Sequence, residues 1–225
     1  MKKKVIAIDG PAGAGKSTVA QVVAQRLQYT YIDTGAMYRA IAWKVLQKKV
    51  AITDARAITD IAQSIRIQLL YVDGKTKVLV DDYDVTASIR DPEISRMVAE
   101  VAQVSAVRTA LTALQRNMAE QGGVVMDGRD IGTHVLPNAD IKIFLTASIE
   151  ERARRRFVEL TEKGFHVNLA ELTAEIAARD KKDCEREIAP LIQAPDAILV
   201  DSTTFRIEQT VDTILKLCEE REHLV

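Results

Sequence analysis

Gly10-Pro11-Ala12-Gly13-Ala14-Gly15-Lys16-Ser17-Thr18 satisfies the pattern G-x-x-x-x-G-K-[ST] at every fixed position. The residues before it, Lys4-Val5-Ile6-Ala7-Ile8-Asp9, are rich in β-branched side chains and read as a buried first strand. After it, Val19, Val22, Val23 and Leu27 recur at helical spacing. Strand, loop and helix in this order are the context in which the pattern cradles phosphates. The glycines let successive backbone N–H groups wrap a polyphosphate without Cβ clashes, and the following helix points its positive end at the same anion. In that arrangement Lys16 bridges the β- and γ-phosphates, and the Ser17 hydroxyl, with Thr18 beside it, faces Mg²⁺. Residues Gly10 to Thr18 are therefore expected to bind a nucleoside triphosphate.

Composition bounds the class. The chain has 225 residues, 47% of them hydrophobic, enough for a large core in one domain or one domain with insertions. Lys and Arg total 31 against 32 Asp and Glu, a net charge of −1, which argues against a dedicated nucleic-acid binder. Cys184 and Cys218 are far apart, and His134, His166 and His223 are scattered, so neither a disulfide framework nor a zinc site is indicated. Met1-Lys2-Lys3-Lys4 has the look of a signal-peptide start, but Asp9 interrupts the apolar stretch that follows. No run approaches the roughly 18 apolar residues of a membrane span. A cytoplasmic, soluble chain is expected.

Tyr29-Thr30-Tyr31-Ile32-Asp33 reads as a second strand that ends at Thr34-Gly35 and opens a helix to about Lys48. A further helix is expected from Thr53 to Gln63, with Thr53-Asp54 as its cap. Ile65, Ile67 and Leu69 then alternate with polar residues, Asp73-Gly74 signals a hairpin turn, and Lys77–Val80 and Tyr83–Val85 return as strands. One long helix is expected from about Glu93 to Glu120, with Ile94, Val98, Val101, Leu111 and Leu114 on its apolar stripe. Near-continuous apolar strands follow at 123–127, 140–145 and 197–201, and a helix from Ile207 to about Glu222 ends the pattern. The expected fold is α/β: a five-stranded parallel sheet with helices on both faces, ligands at the carboxyl ends of its strands, and an inserted small antiparallel sheet. Residues 1–45 and 121–225 would form the core and 46–120 the insert.

A P-loop does not by itself separate kinases from switches. No Asp is followed three positions later by Gly, and no Asn is followed by Lys, so the marks of a GTPase are missing. A kinase of small substrates instead needs arginines that hold a second phosphate beside the first. Gly128-Arg129-Asp130 follows a strand ending at Asp127, whose carboxylate suits a water-mediated hold on Mg²⁺. Arg39 lies one turn inside its helix. At about 100° per residue, Arg152, Arg155 and Arg156 share an arc of about 100°, with Arg154 on the other side. Arg179, Asp183 and Arg186 share a narrower arc of a later helix, where Arg179 and Asp183 would serve at least as an i,i+4 ion pair. Gly164 between these helices offers a hinge, so the segment at about 148–187 suits a mobile lid. Any one of these arginines alone would also fit a solvated surface cation.

Taken together, the chain resembles the bacterial cytidylate kinases, of the nucleoside monophosphate kinase group. The resemblance is carried by Ile8–Thr18, Asp33-Thr34-Gly35-Ala36-Met37-Tyr38-Arg39, Asp127-Gly128-Arg129-Asp130-Ile131-Gly132-Thr133, Lys142–Leu145, Glu151–Arg156, Arg179-Asp180-Lys181-Lys182-Asp183, Ala189-Pro190-Leu191 and Asp201–Thr204. It implies a P-loop NTPase fold whose insert binds the monophosphate, a helical lid, ATP as phosphoryl donor, Mg²⁺, and CMP or dCMP as acceptor. A monomer without nucleic-acid or membrane partners is expected. By resemblance Arg39 and Arg129 grip the acceptor's α-phosphate, Arg108, Asp130 and Arg186 read cytosine, Arg179 and Asp183 contact the ribose, and Thr34 stands near the acceptor. Lys16, Asp127, Arg155 and Arg156 are the expected catalytic set, with Ser17 and Asp127 toward the metal. One position departs from the pattern: a serine that often touches the base is Ala99 here, ahead of Val101-Ala102, and Ser105 is the neighbouring substitute. A kinase of another small acceptor such as UMP, or a regulatory nucleotide-binding protein, is the remaining alternative.

Overall fold

The computed structural model describes residues 3–72 and 75–220. The Asp73-Gly74 turn, the first two residues of the charged start, Glu222 and His223 lie outside the described residues. The chain divides into two compact units, Met1–Tyr31 with Gly122–Val225, and Ile32–Gln121.

The first unit is built on strand β1 (Val5–Asp9), followed by the P-loop and helix α1 (Lys16–Leu27). β2 (Thr30–Asp33) spans the boundary between the units. The central sheet has five strands in the order β2-β6-β1-β7-β8, with β6 (Val124–Gly128), β7 (Ile141–Thr146) and β8 (Ile198–Asp201). β1 pairs in parallel with β6 and β7, and β7 with β8. Ile6 and Ile8 are buried on one face of β1 and Ala7 on the other, which is why the strand reads as an unbroken apolar run. Val19 and Val23 of α1 and Val211 and Ile214 of α8 (Ile207–Glu220) pack with Ile6 and Ile8 in one cluster. The register sets Asp9 beside Gly128 and Phe144, so β1 and β6 end level, β7 runs two residues further to Thr146, and the three following loops emerge at the same edge of the sheet.

The second unit holds α2 (Thr34–Gln47), α3 (Ala55–Ser64) and an antiparallel sheet of β3 (Ile67–Val72), β4 (Lys75–Val80) and β5 (Tyr83–Asp84). Asp33 caps α2 by accepting from Ala36 N–H at 2.8 Å, and Asp54 caps α3 through Ala57 N–H at 3.0 Å. The division at Ile32 puts α2 in this unit, where the sequence reading put it in the core. Its apolar face, Met37, Ile41 and Val45, is fully buried, and α2 packs on α3 and on the helices that follow.

The expected long helix is two helices. α4 (Pro92–Val101) and α5 (Ser105–Ala119) meet at a bend of 100°. Val104 is extended and its preceding turn closes on Val98 and Val101, with neither Gly nor Pro at the break. The bend lets α4 pack on α2 while α5 packs on α3, and the apolar stripe runs through it because both helices bury their faces inward. No single helix among the described residues is long and apolar enough to cross a membrane. In the first unit, α6 (Ile149–Glu162) and α7 (Leu169–Glu185) pack on each other across a connection that includes Gly164 at φ +84°.

Candidate active site

The P-loop adopts its turn because Gly10 allows it. At φ +148°, a Cβ on Gly10 would stand 1.9 Å from the Leu145 carbonyl oxygen on β7, so no side chain fits. Gly15, in the left-handed region, caps α1 and frees its first N–H groups toward the loop. Lys16 is buried, and its Nζ donates to Pro11 O at 2.7 Å. Burial and the nearby cations of Arg129 and Arg179 pull its ammonium well below the usual lysine range, against the opposing pull of Asp127 and Asp183.

Asp127, the penultimate residue of β6, lies behind the loop. Ser17 Oγ donates to its Oδ2 at 3.0 Å and the Tyr31 hydroxyl to its Oδ1 at 2.8 Å. A hydroxyl and a carboxylate side by side are hard oxygen donors of the kind that accept Mg²⁺ with phosphates and water completing its shell, so these residues fit that ion. No group of three or more His, Cys, Asp or Glu among the described residues could hold a metal alone.

Asp9 joins the P-loop strand to the loop after β6. Its two oxygens accept from Ile131 N–H at 2.8 Å and Gly132 N–H at 2.7 Å, which fixes the π-helical turn (Ile131–Val135) that follows Asp130. Burial pushes its carboxyl from 3.8 up to about 6, although the two N–H donors pull the other way. Because the folded value exceeds the unfolded one, the associated stability is complete below about pH 4 and is lost as the pH rises through 6, about 3 kcal/mol in all. Urea denaturation from pH 4 to 7.5 should therefore show the unmodified protein losing stability relative to Asp9→Asn. Parallel pH profiles for the two would contradict the assignment.

Beyond β6 lies a buried charge cluster. Arg129 Nε donates to Asp183 Oδ2 at 2.9 Å and its Nη1 to Gly128 O at 3.2 Å. Arg186 Nη2 donates to Asp130 Oδ1 at 3.1 Å and Nε to Ala189 O at 2.6 Å, while Nη1 lies 3.8 Å from Asp183. The side chains of Asp130, Asp183 and Arg186 are each less than a tenth exposed. Burial alone would raise the Asp183 carboxyl, but Arg129 and then Arg179 outweigh it and hold it below its ordinary value. Burial likewise disfavours the Arg129 charge, and Asp183, with Asp180 and Asp127, more than offsets it. The structure thus brings Arg129, Asp130, Arg179, Asp183 and Arg186 together with Lys16 in the first unit. A direct side-chain bond of Asp183 runs to Arg129, 54 residues away, which helical spacing could not reveal.

Of the three arginines on the α6 arc, Arg152 and Arg155 face the P-loop, while Arg156 bonds within its own helix. Arg152 is buried and donates to Ala147 O and Ala12 O, both at 2.9 Å. Arg155 bonds Glu151 at 2.9 Å and Ser202 O at 2.6 Å, and reaches toward Ala14 O at 3.5 Å. Arg156 pairs with Glu159 at 2.7 Å. Glutamates of α6 itself, Glu151 and Glu159, take part of the hydrogen bonding of Arg155 and Arg156.

In the second unit Thr34 is buried at the start of α2, and Arg39 stands beside Gly35 and Asp33. Asp33 pairs with Arg90 at 2.7 Å; burial would raise its carboxyl, but Arg90 and Arg39 hold it below the usual range. Arg108 is buried on α5, donates to Ala102 O at 3.5 Å and stacks over the Tyr38 ring at 5.8 Å. Ala99 is buried on α4, and Ser105 is exposed at the start of α5. Sequence reading did not single out Tyr31, Arg90 or the roles of Asp9 and Arg152. The P-loop's proximity to Asp9 was the one available signal.

The sequence model of the cytidylate kinase family matches residues 6–220. The chain is 52% identical over 217 residues to the cytidylate kinase of Caldicellulosiruptor bescii, covering 96% of each. It is 51% identical over 220 residues to that of Bacillus subtilis strain 168, covering 98% of each. The chain belongs to the cytidylate kinase family. A relative from Desulfitobacterium hafniense, 53% identical over 222 residues, covers 98% of this chain and 95% of its own length. A gluconokinase structure from Sinorhizobium meliloti 1021 superposes with a TM-score of 0.52 at 15% identity, covering all of this chain and 97% of that one. That likeness speaks to the fold alone, which is the P-loop NTPase architecture expected from the sequence.

Proposed function

We propose that this member of the family transfers the γ-phosphoryl group of ATP to CMP or dCMP, giving ADP with CDP or dCDP, in the cytoplasm and as a monomer. Near-full-length identity of about half to curated cytidylate kinases carries the reading. The buried cluster of Arg129, Asp130, Asp183 and Arg186 supports it, since a polyphosphate loop alone has no use for a second anion-holding set.

In this reading Gly10–Thr18 hold the ATP phosphates, and Lys16 regains its full charge against them. Arg39 and Arg129 grip the acceptor's α-phosphate, while Thr34 stands nearby. A phosphate oxygen of CMP attacks the γ-phosphorus as the bond to the β–γ bridging oxygen breaks and ADP leaves. The nucleophile is already an anion, so no general base is required; the work is positioning and charge stabilisation by Lys16, Arg155 and Arg156. Ser17, and Asp127 through water, would hold Mg²⁺, which when bound spreads the charge of the β- and γ-phosphate oxygens. The segment at 148–187, on α6 and α7, acts as the lid and keeps water out. Residues 46–120 act as the monophosphate-binding insert. Incubation with ATP, CMP and Mg²⁺ followed by ³¹P NMR should show CDP and ADP appearing in equal amounts; ADP with inorganic phosphate and no CDP would overturn the reading.

Asp183 provides a further test. A contact from its carboxylate to the ribose 2′-hydroxyl would be worth roughly 1.5–3 kcal/mol. Asp183→Ala should therefore lower kcat/KM for CMP by about tenfold or more beyond its effect on dCMP. It should also cost about 3 kcal/mol of stability, because Arg129 loses its buried partner. The ratio of the two substrates is independent of that loss. An unchanged ratio would mean that Asp183 serves Arg129 or the 3′-hydroxyl only.

A further inference from the structure

Ala12 is gripped by both of its backbone groups. Its N–H donates to Asp180 Oδ1 at 3.0 Å, and its carbonyl accepts from Arg152 Nη1 at 2.9 Å. Arg152 and Asp180 are also an ion pair, one on α6 and the other on α7. Arg152 Nε is committed to Ala147 O at 2.9 Å, so the buried guanidinium would have to give up three acceptors to reach a phosphate. The loop crest is close against it: a Cβ on Gly13 would come within 3.1 Å of Arg152 Cβ and 3.2 Å of its carbonyl oxygen.

Asp183 lies three residues beyond Asp180, on the same face of α7, and bonds Arg129. One helix face is thus pinned at two points, to the P-loop through Asp180 and to the loop after β6 through Asp183. We propose that Asp180, with Arg152, is a positioning residue for phosphoryl transfer: it fixes the Ala12 peptide and sets the register of α7 on the P-loop, and through α7 the places of Arg179 and Asp183. The proposal rests on the ATP:CMP kinase reading. Asp180 touches no reacting atom, and its effect comes through alignment, where a shift of about 1 Å can cost roughly 10²-fold in rate.

Two variants separate the parts of the contact. Asp180→Asn keeps an oxygen for Ala12 N–H and removes the charge, whereas Asp180→Ala removes both. With ATP and CMP, kcat should fall about 10²-fold in Asp180→Ala and less than about tenfold in Asp180→Asn. Because the buried Arg152 loses its partner, the thermal midpoint of Asp180→Ala should fall by roughly 6–12 °C, so kcat is read well below that midpoint, where both variants stay folded. Hydrogen exchange at the Ala12 amide, followed by ¹⁵N NMR, reads the contact without turnover and should be accelerated by Asp180→Ala but not by Asp180→Asn. Unchanged kcat in Asp180→Ala, or a loss of kcat in Asp180→Asn as large as that in Asp180→Ala, overturns the positioning role. Unchanged Ala12 exchange overturns the contact. An unmodified chain that makes no CDP brings down the kinase reading and the positioning role with it, and the exchange measurement still decides the contact on its own.

Discussion

Lys16→Ala should lower kcat for ATP-dependent phosphorylation of CMP by several orders of magnitude, roughly 10³-fold or more, the scale of losing a principal cation on transferring oxygens. The ammonium is buried at the mouth of α1, where Gly15 opens the helix, and Arg129 and Arg179 crowd it with like charge. That crowding is unfavourable until a polyphosphate offsets it. Removing Lys16 therefore leaves the fold intact, and the thermal midpoint should equal or exceed that of the unmodified protein. A folded Lys16→Ala protein with near-normal turnover would falsify the role given to the P-loop.

Asp130→Asn should collapse base discrimination. Cytosine offers an N4 amino donor, which suits a carboxylate, and acceptors at N3 and O2, which suit guanidinium groups. Uracil inverts two of these: its O4 would oppose Asp130 and its N3–H would face an arginine. The Asp130 carboxylate is buried and oriented by Arg186 at 3.1 Å, so a mismatched base would find neither water nor a free rotation to relieve it. Sites of this kind discriminate by about 10⁴-fold, against about 10² for an apolar pocket. The unmodified protein should show that larger preference in kcat/KM for CMP over UMP. In Asp130→Asn the ratio should fall toward about 10², chiefly through weaker CMP. A ratio that stays near its original value would remove Asp130 from base recognition.

Much of the fold was legible because the P-loop permits few neighbours. Once Gly10 to Thr18 are read, a buried strand before and a helix after follow, and the later apolar runs have only a parallel sheet to join. The bend between α4 and α5 was not legible. Ala102-Gln103-Val104 contains no breaker, and an apolar stripe continues through a bend whenever both helices face inward. The grouping of α2 with the helices that follow was not legible for a related reason: its apolar face is plain in the sequence, but its packing partners are not.

At the site, local spacing told which residues were charged and clustered, and did not tell which distant groups they meet. Arg152 looked like a phosphate ligand on its own helix and proves to be buried against Ala12, 140 residues earlier. Asp183 reads as a partner for Arg179 four residues back, whose charge does act on it, and it also bonds Arg129. Both contacts close long loops, so periodicity along one helix carries no trace of them.

The most direct test is ADP formation from ATP and Mg²⁺, followed with no acceptor and then with CMP, dCMP, UMP or AMP in parallel. Rapid ADP formation is expected with CMP and dCMP, with kcat/KM for UMP and AMP lower by about 10⁴-fold and only a slow background without acceptor. Equal kcat/KM for UMP and CMP would contradict the cytosine assignment, and ADP formation at one rate regardless of acceptor would contradict the kinase itself.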